Sequence, residues 1–134
     1  MQRKRKKVLC INSESSFLEQ QKKELRYKNL DDNLISFNNL SDAFRFIETQ
    51  IIEKNEKVHY IILDESIVSK HLTRSLDKFW GLNHFLKKPD VIIVTEENNA
   101  FLRNRVMQYP FVAAFLVKPI PSSYIEFLIT GQPS

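Results

Sequence analysis

Four short polar corners carry the side chains best suited to chemistry in this sequence: Asn12-Ser13-Glu14, Asp64-Glu65-Ser66, Thr95-Glu96 and Lys118-Pro119. Each follows a short apolar run. A carboxylate, a hydroxyl and an ammonium brought to neighbouring places form a coherent set. Asp64 can then act as a nucleophile toward a phosphoryl donor. Thr95 and Lys118 can hold the transferred oxygens, and a hard cation can neutralise charge through oxygen ligands. On residue chemistry alone, Asp64 is equally well read as a strand-end residue capping the next turn. Thr95 reads as well as a β-branched strand terminus. Lys118 reads as well as a surface lysine, or as the ion-pair partner of Asp64 without catalysis.

The elements that must position these corners alternate between two periods. Runs at Val8–Ile11, Leu34–Phe37, Tyr60–Leu63, Val91–Val94 and Phe115–Val117 are continuously apolar, as strands covered on both faces would be. Between them lie segments with helical spacing. Ser16 and Glu19 suggest a capping box, with Phe17, Leu18, Gln21 and Leu25 on one face. Ser41 is the expected cap of the second helix, whose inner stripe is Leu40, Ala43, Phe44, Ile47 and Ile51. The third carries Leu72, Leu76, Phe79, Trp80 and Leu86, with Gly81 weakening its middle. The fourth starts near Asn98, carries Phe101, Leu102, Val106 and Tyr109, and stops at Pro110. The fifth follows Pro119 and Pro121, buries Tyr124, Ile125 and Leu128, and ends at Gly131 and Pro133.

Five β-α units with short connections and right-handed crossovers predict an α/β fold: a doubly wound, five-stranded, mostly parallel sheet with helices on both faces. Sites in such sheets form outside the carboxyl ends of the strands, where all four polar corners fall. Residues 1–7 read as a basic lead-in, 8–130 as a single domain and 131–134 as a tail. The chain has 134 residues, 43% of them hydrophobic, enough for a real core.

Composition excludes several classes. No apolar run approaches the roughly 20 residues of a membrane span, and no apolar segment of a secretory signal follows the charged amino end. A cytoplasmic protein is expected. Cys10 is the one cysteine, so no internal disulfide can form, and it reads as a small buried hydrophobe. His59, His71 and His84 show no metal-ligand spacing. The net charge of +4 owes much to Arg3-Lys4-Arg5-Lys6-Lys7. That run suits nucleic acid or acidic lipid, and equally a solvated lead-in to the first strand. No groove-reading helix or stacking platform accompanies it. Gly81 and Gly131 are the only glycines, so there is no glycine-rich phosphate loop, and no Ser-His or Cys-His arrangement is evident.

The corners and the runs before them resemble a response-regulator receiver domain over nearly the whole length. The matching pieces are Val8-Leu9-Cys10-Ile11, Ile61-Ile62-Leu63-Asp64, Val91-Ile92-Ile93-Val94-Thr95 and Phe115-Leu116-Val117-Lys118-Pro119. The resemblance implies the flavodoxin-like (β-α)5 receiver fold, with Asp64 as phospho-acceptor, Thr95 as switch hydroxyl and Lys118 as its cationic partner. Phe115 falls where an aromatic rotamer switch lies, and it serves equally as core or interface packing. It implies Mg²⁺ as cofactor, with Asn12, Ser13, Glu14, Asp64 and Ser66 as the candidate metal site. Partners would be a histidine kinase or phosphotransfer protein, and a downstream protein on the face of the fourth helix, fifth strand and fifth helix. Exposed Arg103, Arg105 and Tyr109 make that region the candidate surface for a second copy as well. Such a domain is a signalling module in phosphorelay rather than an enzyme; no membrane or nucleic-acid partner is expected.

Two departures bear on the phosphoryl chemistry, the first through the metal site and the second through the charge met by an anionic phosphoryl group. Two adjacent acids usually follow the first strand; Asn12 and Ser13 stand there, with Glu14 one step later. After Thr95 a small residue is usual, whereas Glu96 adds bulk and negative charge. A second function therefore stands beside the first: a degenerate receiver that keeps the fold and acts as a phosphorylation-independent interaction module.

Overall fold

The computed structural model describes residues 5–68, 71–83 and 89–132. Expectations placed on Arg3, Lys4, His84, Leu86, Pro133 and the Trp80 side chain lie outside that description. Five strands, β1 (Val8–Ile11), β2 (Leu34–Phe37), β3 (Tyr60–Asp64), β4 (Asp90–Thr95) and β5 (Val112–Val117), form one sheet in the order β2-β1-β3-β4-β5. Every pairing is parallel, and in-register partners include Cys10 with Ile62 and Leu63 with Ile93. The strand order reverses direction between β1 and β3, which is where an open parallel sheet leaves a crevice.

Six helices flank the described sheet: α1 (Ser15–Arg26), α2 (Leu40–Phe46), α3 (Glu65–Val68), α4 (Leu72–Asn83), α5 (Ala100–Val106) and α6 (Ser122–Thr130). Strand alternation divides the core in two. Leu9, Ile11, Ile61, Leu63, Val91 and Ile93 pack against α2, α4 and α5. Val8, Cys10, Ile62, Ile92 and Val94 pack against α1 and α6. The continuously apolar runs follow from this covering of both faces, and each fully buried Leu or Ile contributes about 1.5–3 kcal/mol.

Local chemistry moves several helix ends from where the sequence suggests. α1 starts after an extended Glu14, with no side-chain cap bond, so no Ser16 capping box forms. Asn39 caps α2 in place of Ser41, its side chain accepting a hydrogen bond of 2.8 Å from the Asp42 amide. Asn39 has the extended backbone an N-cap needs, and Ser41 is already inside the first turn. The segment Ile47–Glu53 continues α2 as a π-helix, and Asn55 follows in the left-handed region that asparagine tolerates. The third expected helix is α4, with Gly81 inside it, and the short α3 before it is an element the spacing does not suggest.

The fourth expected helix is shorter, α5, capped by Asn99 and ended before Tyr109. Leu102 and Val106, four residues apart, face the core; Phe101 is rotated off that stripe and is 74% exposed. Gly131 closes α6 with φ of 70°, its amide donating to the Phe127 carbonyl at 2.7 Å. That is the C-terminal role its sequence position suggests.

Candidate functional site

The carboxyl ends of β1, β3, β4 and β5 bring Asn12, Asp64, Thr95 and Lys118 to one edge of the sheet. Asp64 is the last residue of β3 and only 2% exposed. A buried carboxylate needs partners for both oxygens, and it has them. Oδ1 accepts the Ser66 amide at 2.9 Å and the Ser66 hydroxyl at 2.7 Å. Oδ2 accepts the Asn12 side-chain amide at 3.0 Å and forms an ion pair with Lys118 Nζ at 2.5 Å.

Asn12 is fixed from both ends. Its Nδ2 donates to Asp64, while its Oδ1 accepts the Glu14 amide at 2.8 Å. Those two bonds also settle which end of the amide is nitrogen. The Ser13 and Ser66 hydroxyls meet at 3.2 Å, linking the corner after β1 to the start of α3.

Lys118 bridges two carboxylates, with Glu96 Oε1 at 3.3 Å as the second. Burial pulls the pKa of its ammonium down; the hydrogen bonds and charges of Asp64 and Glu96 together outweigh that, so it stands above the ordinary lysine value. The Lys118 amide donates to the Thr95 carbonyl at 2.8 Å, tying the ends of β4 and β5 together. Cys10, buried under Asp64, has its thiol pushed up to about 12, first by burial and then by the Asp64 charge. It stays a protonated wall residue.

Thr95 sits at this edge but does not touch Asp64. Its hydroxyl donates a short hydrogen bond to the Glu65 carboxylate, and the Glu97 amide donates to it in turn at 3.3 Å. Of the expected site residues, Asn12, Ser13, Asp64, Ser66 and Lys118 form one connected network. Glu14 joins it through its backbone amide. Glu65 as the partner of Thr95, Glu96 as the second partner of Lys118, and the donating role of Asn12 escape a reading of the sequence. The one signal for Glu65 is its place beside Asp64 at the start of α3.

A hard dication needs several oxygen ligands, preferably carboxylates. Here the Asn12 oxygen is taken by a backbone N–H, and an amide and an ammonium already occupy Asp64 Oδ2. Among the described residues, no group of three or more His, Cys, Asp or Glu is placed to hold a metal ion. The donor set fits a self-contained hydrogen-bonded carboxylate and does not fit a divalent cation.

No protein-family model and no curated protein matches the chain. Solved structures do. A response regulator protein from Burkholderia pseudomallei, crystallised with a phosphorylated aspartic acid, a calcium ion and citrate, superposes with a TM-score of 0.68 at 14% identity. That match covers 92% of this chain and 66% of the other, so the chain spans just under two thirds of that protein. The signal receiver domain of a protein described as a Luxo repressor, from Vibrio parahaemolyticus, gives 0.68 at 24% identity, covering 91% and 85%. A signal receiver domain of a two-component histidine kinase from Clostridium thermocellum gives 0.62 at 20% identity, covering 90% and 91%. The fold of this chain is that of the signal receiver domains.

Proposed function

We propose that this chain is a receiver-type signal-transduction module that works through protein contact, with Asp64 as the structural centre of a metal-independent network. The observation that carries this reading is the saturation of both Asp64 oxygens by Ser66, Asn12 and Lys118. An amide and an ammonium stand where a divalent cation would have to approach. The module binds and relays rather than catalyses. Its partner surface is the face of α5, β5 and α6, where Phe101, Val117 and Phe127 are exposed, and a signalling protein or a second copy would dock there. No described helix is long and apolar enough to cross a membrane.

A second reading keeps Asp64 as a phospho-acceptor for a histidine kinase or phosphotransfer protein. It is supported by the convergence of Asp64 with Lys118 and by Thr95 on the adjoining strand end. Intact-mass analysis after acetyl phosphate treatment, with and without Mg²⁺, separates the two. The metal-independent module gains no phosphoryl group in either condition. Stoichiometric, Mg²⁺-dependent modification that disappears in Asp64→Asn would establish the second reading and remove the first.

A further inference from the structure

Beside the Asp64–Lys118 pair the fold leaves a cavity of about 190 Å³. Its walls are Cys10, Ile62 and Val94 from three adjacent strands, with Phe17 of α1 and Ile120 and Ile125 at the α6 side. An apolar cavity of roughly 150 Å³ is known to stay dry and to admit benzene. This one therefore has room and walls for a single aromatic ring. It opens at the strand ends, where its lining turns polar: Asn12, Glu14, Asp64, Glu96 and Lys118.

The charge of that mouth selects the ligand's head. Lys118 is the one cation in the lining, and it is already shared between Asp64 at 2.5 Å and Glu96 at 3.3 Å. Three carboxylates thus face one ammonium, and Glu14 and Glu96 are both exposed at the rim. An incoming anion would meet net negative charge, whereas an ammonium would meet the exposed Glu14 carboxylate and the exposed Glu96 carboxylate, which shares Lys118 with Asp64. An apolar pocket with a few convergent polar groups is the usual form of a small-molecule site.

We propose that this cavity binds an arylalkylamine, its ring between the sheet and helices α1 and α6 and its ammonium at the Glu14 and Glu96 rim. The proposal rests on the walls and the charge of the mouth and does not depend on how Asp64 is used. The test is titration of 2-phenylethylamine into the full chain, followed by calorimetry and by amide NMR shifts. Saturable binding is expected, with shifts centred on Cys10, Ile62 and Val94. Phenylacetate, of the same shape and opposite charge, should bind more weakly. Glu14→Gln and Glu96→Gln should each weaken the amine about two- to fivefold, as loss of one exposed charge contact does, and leave neutral ethylbenzene unaffected.

Ile120→Trp and Phe17→Trp, both at half-buried positions, should fill the cavity and abolish binding while circular dichroism stays native. If either variant unfolds, the other and the charge comparison still decide. The proposal is overturned by phenylacetate binding as tightly as the amine, by full binding in a folded cavity-filled variant, or by no saturable binding to the wild-type chain.

Discussion

Replacing Asn12 by Asp tests the site most directly, because it changes one donating atom and little else. The Oδ1 that accepts the Glu14 amide at 2.8 Å is retained. The nitrogen that donates to Asp64 at 3.0 Å becomes a second carboxylate oxygen. Losing a donor to a charged, buried acceptor costs about 1.5–3 kcal/mol. Two unit charges at the wild-type spacing, 3.0 Å, would repel by about 5.5 kcal/mol at an effective dielectric constant near 20. Rotation of the new side chain and the neighbouring Lys118 ammonium offset much of this, leaving a net loss of about 3 kcal/mol. Urea unfolding followed by circular dichroism in chelator would read that loss as a lower midpoint. The same change supplies an acid pair that a dication can bridge. Mg²⁺ at a hundredfold excess over its dissociation constant would then return about 2.7 kcal/mol. Wild-type protein should gain nothing from Mg²⁺. A variant as stable as wild type in chelator, or a wild type equally stabilised by Mg²⁺, would refute the reasoning.

Three further outcomes follow from the same geometry. Lys118→Met leaves Asp64 buried without its cation and should cost about 3–5 kcal/mol by urea titration, with part recovered in the double variant carrying Asp64→Asn. In the wild type the Lys118 pKa is raised, so the pair's contribution is complete below the ordinary lysine value of 10.5 and is lost as pH rises above it; unfolding titrations of Lys118→Met should lack that alkaline loss. Tyr109 donates to Asp77 at 2.6 Å, and burial first, then Asp77, push its hydroxyl up to about 12. Stability should therefore fall between pH 10 and about 12 as the unfolded chain ionises first, and Tyr109→Phe should flatten that step. Thr95→Val removes the hydroxyl bound to Glu65 and should lower the urea midpoint by the equivalent of about 0.5–1.5 kcal/mol.

The strands were legible because burial on both faces leaves a continuous apolar run, and β1 and β2 have the bounds their runs suggest. β5 begins earlier than its expected run, at Val112, and takes in Ala113 and Ala114. The existence of the longer helices was readable from spacing, whereas the four-residue α3 was not. Helix starts were not, since several Ser and Asn residues compete for each cap and backbone angle chooses among them. At the site, the positions of Asp64, Thr95 and Lys118 followed from strand-end register. Their partners did not. Whether Thr95 turns to Asp64 or to Glu65, and which atom of Asn12 faces the carboxylate, depend on rotamers set across strands distant in sequence. Tyr109 shows the same limit. Expected as an open contact residue, it is tied to α4 through Asp77, because its ring lies against Phe111 at 5.4 Å.

The position of β1 between β2 and β3 has a consequence for how the molecule forms. β1 cannot complete its hydrogen bonds until β3 arrives, and the Asn12–Asp64 bond that marks their meeting joins residues 52 apart in the chain. Closing so long a loop must precede any reward from the contact, which makes it a slow kind of step. Until it happens, β1 offers an open apolar edge to other molecules. The charged residues Arg5, Lys6 and Lys7 immediately before it are placed to keep such half-assembled chains apart through mutual repulsion.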